Sequence, residues 1–132
     1  MAKETKKNLE QIAKLDGRYS AGMIMFVHHG LGATIEQLQG SLADEGQSFH
    51  ITGRQLCFGL AEFALKNWGR LAKVVLNYGG IKRTRDFGEI VYLLIRQNWM
   101  SAQPQDSIED FDNIYDFENV FEKNFKFQKN QK

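Results

Sequence analysis

One cysteine, Cys57, and one proline, Pro104, stand among 132 residues. A lone thiol cannot close an intrachain disulfide, so nothing points to an oxidising compartment. No uncharged stretch reaches the ~18 residues of a membrane-crossing helix. The longest apolar candidate, Ala21 to Ile35, has 15 residues and includes two histidines and three glycines. The opening Met1-Ala2-Lys3-Glu4-Thr5-Lys6-Lys7 is not followed by the apolar run of a secretion signal, so the cytoplasm is the expected compartment, with no membrane partner. Nucleotide-binding glycine patterns are also missing: Gly30-x-Gly32 and Gly79-Gly80 fit neither a P-loop nor the dinucleotide fingerprint. Counted from Asp106, the sixth and twelfth places of a calcium loop are Phe111 and Phe117 where glycine and glutamate are required. Asp86-Phe87-Gly88 lacks the glycine-rich and catalytic loops that accompany the kinase magnesium motif. No cofactor is expected, and no internal repeat is visible.

What is present is enough apolar material for one core. Leu, Ile, Val and Phe make up more than a quarter of the chain, above the level at which a charged sequence stays disordered, and two domains would each be too small. The expectation is a single domain over 1–132, frayed at 1–3 and 128–132, and mainly α. Leu9, Ile12 and Ala13 predict an amphipathic helix over 4–15 stopped by Asp16-Gly17. Met23, Phe26, Val27, Leu31, Ile35 and Leu38 predict a second helix from Ser20, with a kink or a close helix contact near Gly30. After a polar loop at Gly40 to Ser48, the capping-box pattern Thr52-Gly53-Arg54-Gln55 opens a helix carrying Leu56, Leu60, Phe63, Ala64 and Trp68. Leu71, Ala72, Val75 and Leu76 predict a short helix closed by Gly79-Gly80, with Ile81 making the following apolar contact. Thr84 or Asp86 caps a helix whose Phe87, Ile90, Val91, Leu94 and Ile95 face the core. Beyond the turn at Ser101 to Asp106, residues 108–117 fit either a short strand or a helical turn, and Asp116 is placed to cap a last helix with Phe117, Val120, Phe121 and Phe125. The fold class expected is a small helical domain: an N-terminal helical pair and a winged-helix-like C-terminal half, with room for one short β-hairpin or strand pair.

Net charge is +1, yet the charges are segregated. Residues 51–100 hold eight bases and three acids, whereas 101–122 hold seven acids and no base. Either the acidic segment neutralises the basic one inside the fold, which is favoured, or each meets its own partner. Lys82, Arg83 and Arg85 sit at the start of a helix, where free N–H groups and the dipole favour anions. With Arg96, and with Arg54, Arg70 and Lys73 as secondary phosphate contacts, they form the candidate nucleic-acid or anion site; Tyr92 shares the presumed reading face, and Glu89 interrupts it. A pI of 7.8 falls below the basic range of nucleic-acid domains. Catalytic material is thin: adjacent His28 and His29 diverge on a helix and cannot share a metal, His50 stands apart, and Cys57 lies among apolar neighbours. No catalytic residue and no metal ligand is expected. Six aromatics fall in the last 22 residues, from Phe111 to Phe127; most should be core, and any left outside would form a protein-binding patch rimmed by acids.

From His50 to Phe121 the chain resembles a family of conserved hypothetical proteins of planctomycete and verrucomicrobial bacteria. The residues that carry the likeness are His50-x-Thr52-Gly53, Gly59-Leu60 with Ala64, Gly69-x-x-Ala72-x-x-Val75-Leu76, Gly80-Ile81-x-x-Thr84-x-Asp86-Phe87-Gly88-Glu89-Ile90-Val91, Glu109-Asp110-Phe111 and Tyr115-Asp116-Phe117, with Arg18-Tyr19 and Phe26-Val27 nearer the start. The resemblance implies a bacterial origin and a helical fold and transfers no catalytic residue. The expected function is that of a non-enzymatic binding module with a protein partner; the alternative is nucleic-acid binding through the 82–96 cluster.

Overall fold

The structure is a computed structural model, and it describes residues 7–42, 51–102 and 105–123. The polar loop expected after Gly40, together with His50, Pro104, Phe125 and Phe127, lies largely or wholly outside them. Five α-helices run in chain order: α1 (Leu9–Asp16), α2 (Ala21–Leu42), α3 (Gly53–Trp68), α4 (Ala72–Tyr78) and α5 (Thr84–Arg96). Short helical turns occupy Gly69–Leu71, Ile108–Phe111 and Asn119–Lys123. The chain is mainly helical, and among the described residues there is no strand.

Local chemistry sets the boundaries. Asn8 and Gln11 exchange side-chain and backbone hydrogen bonds at 2.8 and 2.9 Å, which starts α1 at Leu9 and not at Glu4. Gly17, at φ 80°, ends it in the left-handed conformation. Thr52 and Gln55 close the expected capping box on α3. The Gly79-Gly80 stop also holds: Gly80 adopts φ 106°, and the Ile81 N–H donates to the Leu76 carbonyl at 2.8 Å while Ile81 is fully buried.

The core brings Ile12, Ile24, Val27, Leu60, Leu76, Phe87, Ile90 and Leu94 together from all five helices. α2 and α3 meet where α2 carries Gly30 and α3 carries Gly59. A Cβ on Gly30 would strike Leu60 and Phe63, and one on Gly59 would strike Thr34. Close helix contact therefore accounts for Gly30. Phe26 stacks on Phe63 at 5.3 Å and tilts against Trp68 at 4.9 Å, extending this seam.

The turn at Ile108–Phe111 is wedged between α3 and α5. Phe111 fits because Gly53 and Gly88 lack side chains: a Cβ on Gly88 would stand 2.7 Å from its ring. Buried Thr84 locks the wedge, donating to the Phe111 carbonyl at 2.7 Å and accepting from the Ile114 N–H at 3.2 Å. This pairing turns the chain at Asn113 (φ 50°), and within residues 108–117, which fitted either a strand or a helical turn, Ile108–Phe111 is helical and no residue is in a strand. Phe117 and Phe121 are core, crossing edge to face at 5.0 Å, and Phe117 lies 5.8 Å from Phe87.

Candidate functional site

The basic cluster begins where α5 begins. Arg83 occupies the position before the helix, and Asp86, the third helical residue, folds back so that one carboxylate oxygen accepts the Lys82 and Arg83 N–H groups at 2.8 and 3.2 Å. Its other oxygen accepts the Tyr19 hydroxyl at 2.6 Å. Burial, and then this bond to a carboxylate, push the Tyr19 hydroxyl well up. The helix start that would attract a phosphate is thus filled by the protein's own carboxylate. Asp86 serves as the third helical residue reaching back, and Arg83, not Thr84 or Asp86, is the cap.

The Arg85 side chain is occupied as well. It reaches Asp112 at 3.0 and 3.1 Å and Glu89 at 3.2 Å. Glu89 accepts from Arg18 at 3.0 Å, and Arg18 also holds Asp16 at 2.8 Å. Opposite charges therefore alternate along Asp16, Arg18, Glu89, Arg85 and Asp112, tying the α1–α2 turn and the acidic segment to α5. The hydrogen bond from Arg18, reinforced by Arg85, holds the Glu89 carboxyl below its usual range despite some burial. At Asp16 burial pushes upward, but the hydrogen bonds and charge of Arg18 outweigh it and the carboxyl sits low. Asp112, and then Glu89, raise the Arg85 guanidinium.

Of the seven sequence candidates, Lys73, Lys82, Arg83 and Arg85 line one open groove of about 870 Å³, facing Asp112, Asp116 and Glu118. Lys73 also stands 3.8 Å from Glu122. Arg54, Arg70 and Arg96 do not line it. Arg54 lies 5.2 Å over the Phe58 ring beside a different groove, between α2 and α3. Exposed Arg96 contributes charge to Asp16. Tyr92, expected on the same face, instead borders a narrow cleft of about 180 Å³ with Asp106, Ser107 and Asp110.

Among the described residues, nucleophile chemistry is not assembled. Cys57 is fully buried, and burial pushes its thiol up to about 12, only partly offset by Arg54. Its carbonyl accepts the Tyr115 hydroxyl at 2.6 Å. His28 meets the Trp99 ring edge-on at 5.4 Å while His29 is exposed. Among the described residues no three His, Cys, Asp or Glu side chains gather as a metal site, and no helix is long and apolar enough to cross a membrane.

The feature that sequence reasoning missed is on α4 and the turn that leads into it. Leu71, expected in the core, is 58% exposed, Val74 is 59% exposed and Tyr78 is 94% exposed. Spaced i, i+3, i+7, they form one stripe, because the buried side of α4 is taken by Ala72 and Leu76. The i, i+3, i+7 recurrence itself was the available signal. No protein-family model, curated protein or solved structure matches this chain.

Proposed function

We propose that this chain is a non-enzymatic, cytoplasmic binding module that works by contact with another protein through the exposed face of α4. The observation that carries the reading is the exposure of Leu71, Val74 and Tyr78, three large apolar side chains in outward positions on the turn Gly69–Leu71 and the helix α4 that follows it. Contiguous apolar surface of this kind is characteristic of contact faces, and an exposed tyrosine is a common anchor in them. The enzyme alternative built on His28, His29, His50 and Cys57 is weakened by the buried, high-pKa thiol. The resemblance to planctomycete and verrucomicrobial proteins belongs to the same proposal and supplies its bacterial setting.

Nucleic-acid binding by a winged-helix-like unit is the second reading. It is favoured by Lys82 and Arg83, which are exposed and make no ion pair among the described residues. It is weakened because Arg85 is spent on Asp112 and Glu89, and because acids line the same groove. Bound DNA would have to compete with those carboxylates at Arg85 and approach the acids of the groove.

Photo-crosslinking residues placed one at a time at Val74, Tyr78 and Lys14 in the source cells test the first reading. A discrete protein adduct from 74 and 78, missing from position 14 on α1, is the expected result. Equal adducts from all three positions, or none from the α4 pair, would remove it.

A further inference from the structure

We infer that the narrow cleft beside Tyr92 is a binding site for a small organic cation, a one-ring arylalkyl amine whose ring enters the cleft while its ammonium group stays at the rim. The inference is independent of the α4 face, none of whose residues lines this cleft. Leu31 and Ile35 of α2, Ile95 of α5, and Ile51 and Met100 form the apolar side, and all five are only half-buried. Apolar surface left partly wet inside a recess gains free energy when a ligand displaces the water. The volume, about 180 Å³, suits one ring, since an apolar cavity of about 150 Å³ takes up benzene.

The polar side selects the charge. It consists of Ser101, Asp106, Ser107, Asp110 and the Tyr92 side chain, and no Lys, Arg or His lines the cleft with them. Asp106 has an interaction of its own, so the charge at the ligand's disposal is that of Asp110. One Asp110 carboxylate oxygen accepts the Ser107 N–H at 3.1 Å, and among the described residues the side chain makes no ion pair. The second oxygen is left to accept from an ammonium group. The Tyr92 hydroxyl has no hydrogen-bond partner among the described residues and, as a neutral phenol, can accept a second ammonium N–H. Burial first, and then the charges of Asp106, Asp110 and Glu109, raise this hydroxyl, with no cation opposing them. A carboxylate-bearing ligand would meet like charge at the rim, and an uncharged ring would leave Asp110 without a counter-ion. Residues 43–50, which precede Ile51 in the chain, carry Asp44 and Glu45 and no Lys or Arg, so they bring the same sign as the rim.

Three probes of one body test the inference: phenethylamine, phenethyl alcohol and 3-phenylpropionate, titrated onto the full chain and followed by methyl NMR. The amine should shift the Leu31, Ile35, Ile95 and Met100 methyl signals, leave Val74 on α4 where it is, and bind about tenfold or more tightly than the carboxylate. Asp110→Asn keeps an oxygen for the Ser107 N–H, so the fold should hold while amine affinity falls about threefold or more and the alcohol is unaffected. Tyr92→Phe should weaken the amine in the same direction, and Ile35→Trp, which fills the cleft, should remove the shifts. Equal binding of amine, alcohol and carboxylate would overturn the cationic ligand, as would amine binding indifferent to Asp110→Asn. Shifts at Val74 with the cleft methyls unmoved would place the probe elsewhere and overturn the inference. No shift with any probe overturns it too, and shifts that then arise only in Phe49→Ala would make the chain's own Phe49 the occupant.

Discussion

At the scale of single residues, three side chains determine how the acidic segment is seated. Phe111 needs the space left by Gly88, so Gly88→Ala gains up to about 1 kcal/mol of helix propensity but forces a Cβ to 2.7 Å from the ring. The overpacking cost of about 1–3 kcal/mol should win, lowering the urea midpoint. Thr84→Val keeps the shape but strips the Phe111 carbonyl and Ile114 N–H of their partner, and should cost about 1–3 kcal/mol by the same measurement. Glu89 gives a pH dependence. Arg18 and Arg85 depress its folded pKa, so the folded chain holds this charge below the point, about pH 4.3, where an unfolded glutamate takes up a proton. Its stabilisation is therefore complete above that point and lost as the pH falls through the folded value. The stability gap between the wild type and Glu89→Gln should be widest near neutrality and close toward pH 3; a gap that stays constant with pH would count against the ion-pair chain. Of these residues the sequence advertised the charges but not their pairing, because Arg18, Glu89 and Asp112 are far apart in the chain and only the fold brings them together.

At the scale of elements, α4 carries the argument, since one short helix supplies both core and surface. Leu76 is fully buried and Leu71, Val74 and Tyr78 are not. Leu76→Ala should cost about 2–5 kcal/mol, whereas Val74→Ser should stay within about 0.5 kcal/mol of the wild type in urea unfolding. A large loss in Val74→Ser would mean that the face is covered. Helices α3 and α4 were legible because their caps and apolar spacing agree, Thr52 with Gln55 and Gly79 with Gly80, whereas α5 was legible from the spacing of Phe87 through Leu94 alone, since Arg83 and neither Thr84 nor Asp86 is its cap. The edges of α1 and the wedge at Ile108–Phe111 were less so. Both are set by polar contacts, Asn8 with Gln11 in one case and Thr84 with a distant carbonyl in the other, which leave little trace in hydrophobic periodicity. Leu71 was misassigned to the core for a related reason: periodicity over a seven-residue helix supports two stripes, and only the seat of Ala72 and Leu76 against the rest decides which faces inward.

At the scale of the whole molecule, the charge segregation is partly resolved inside the fold. The acidic segment covers Arg85 through Asp112 and approaches Lys73 through Glu122, as the favoured expectation had it, and leaves Lys82 and Arg83 outward. What remains for a partner is the exposed apolar stripe of Leu71, Val74 and Tyr78. The most direct measurement is in-cell methyl NMR of the leucine- and valine-labelled protein, because Leu15, 68% exposed on α1, is an internal control of similar exposure. Engagement of α4 predicts that the Leu71 and Val74 methyl signals broaden or shift while those of Leu15 stay as in buffer. Uniform broadening of all three, or no change in any, would contradict the assignment of α4 as the working surface.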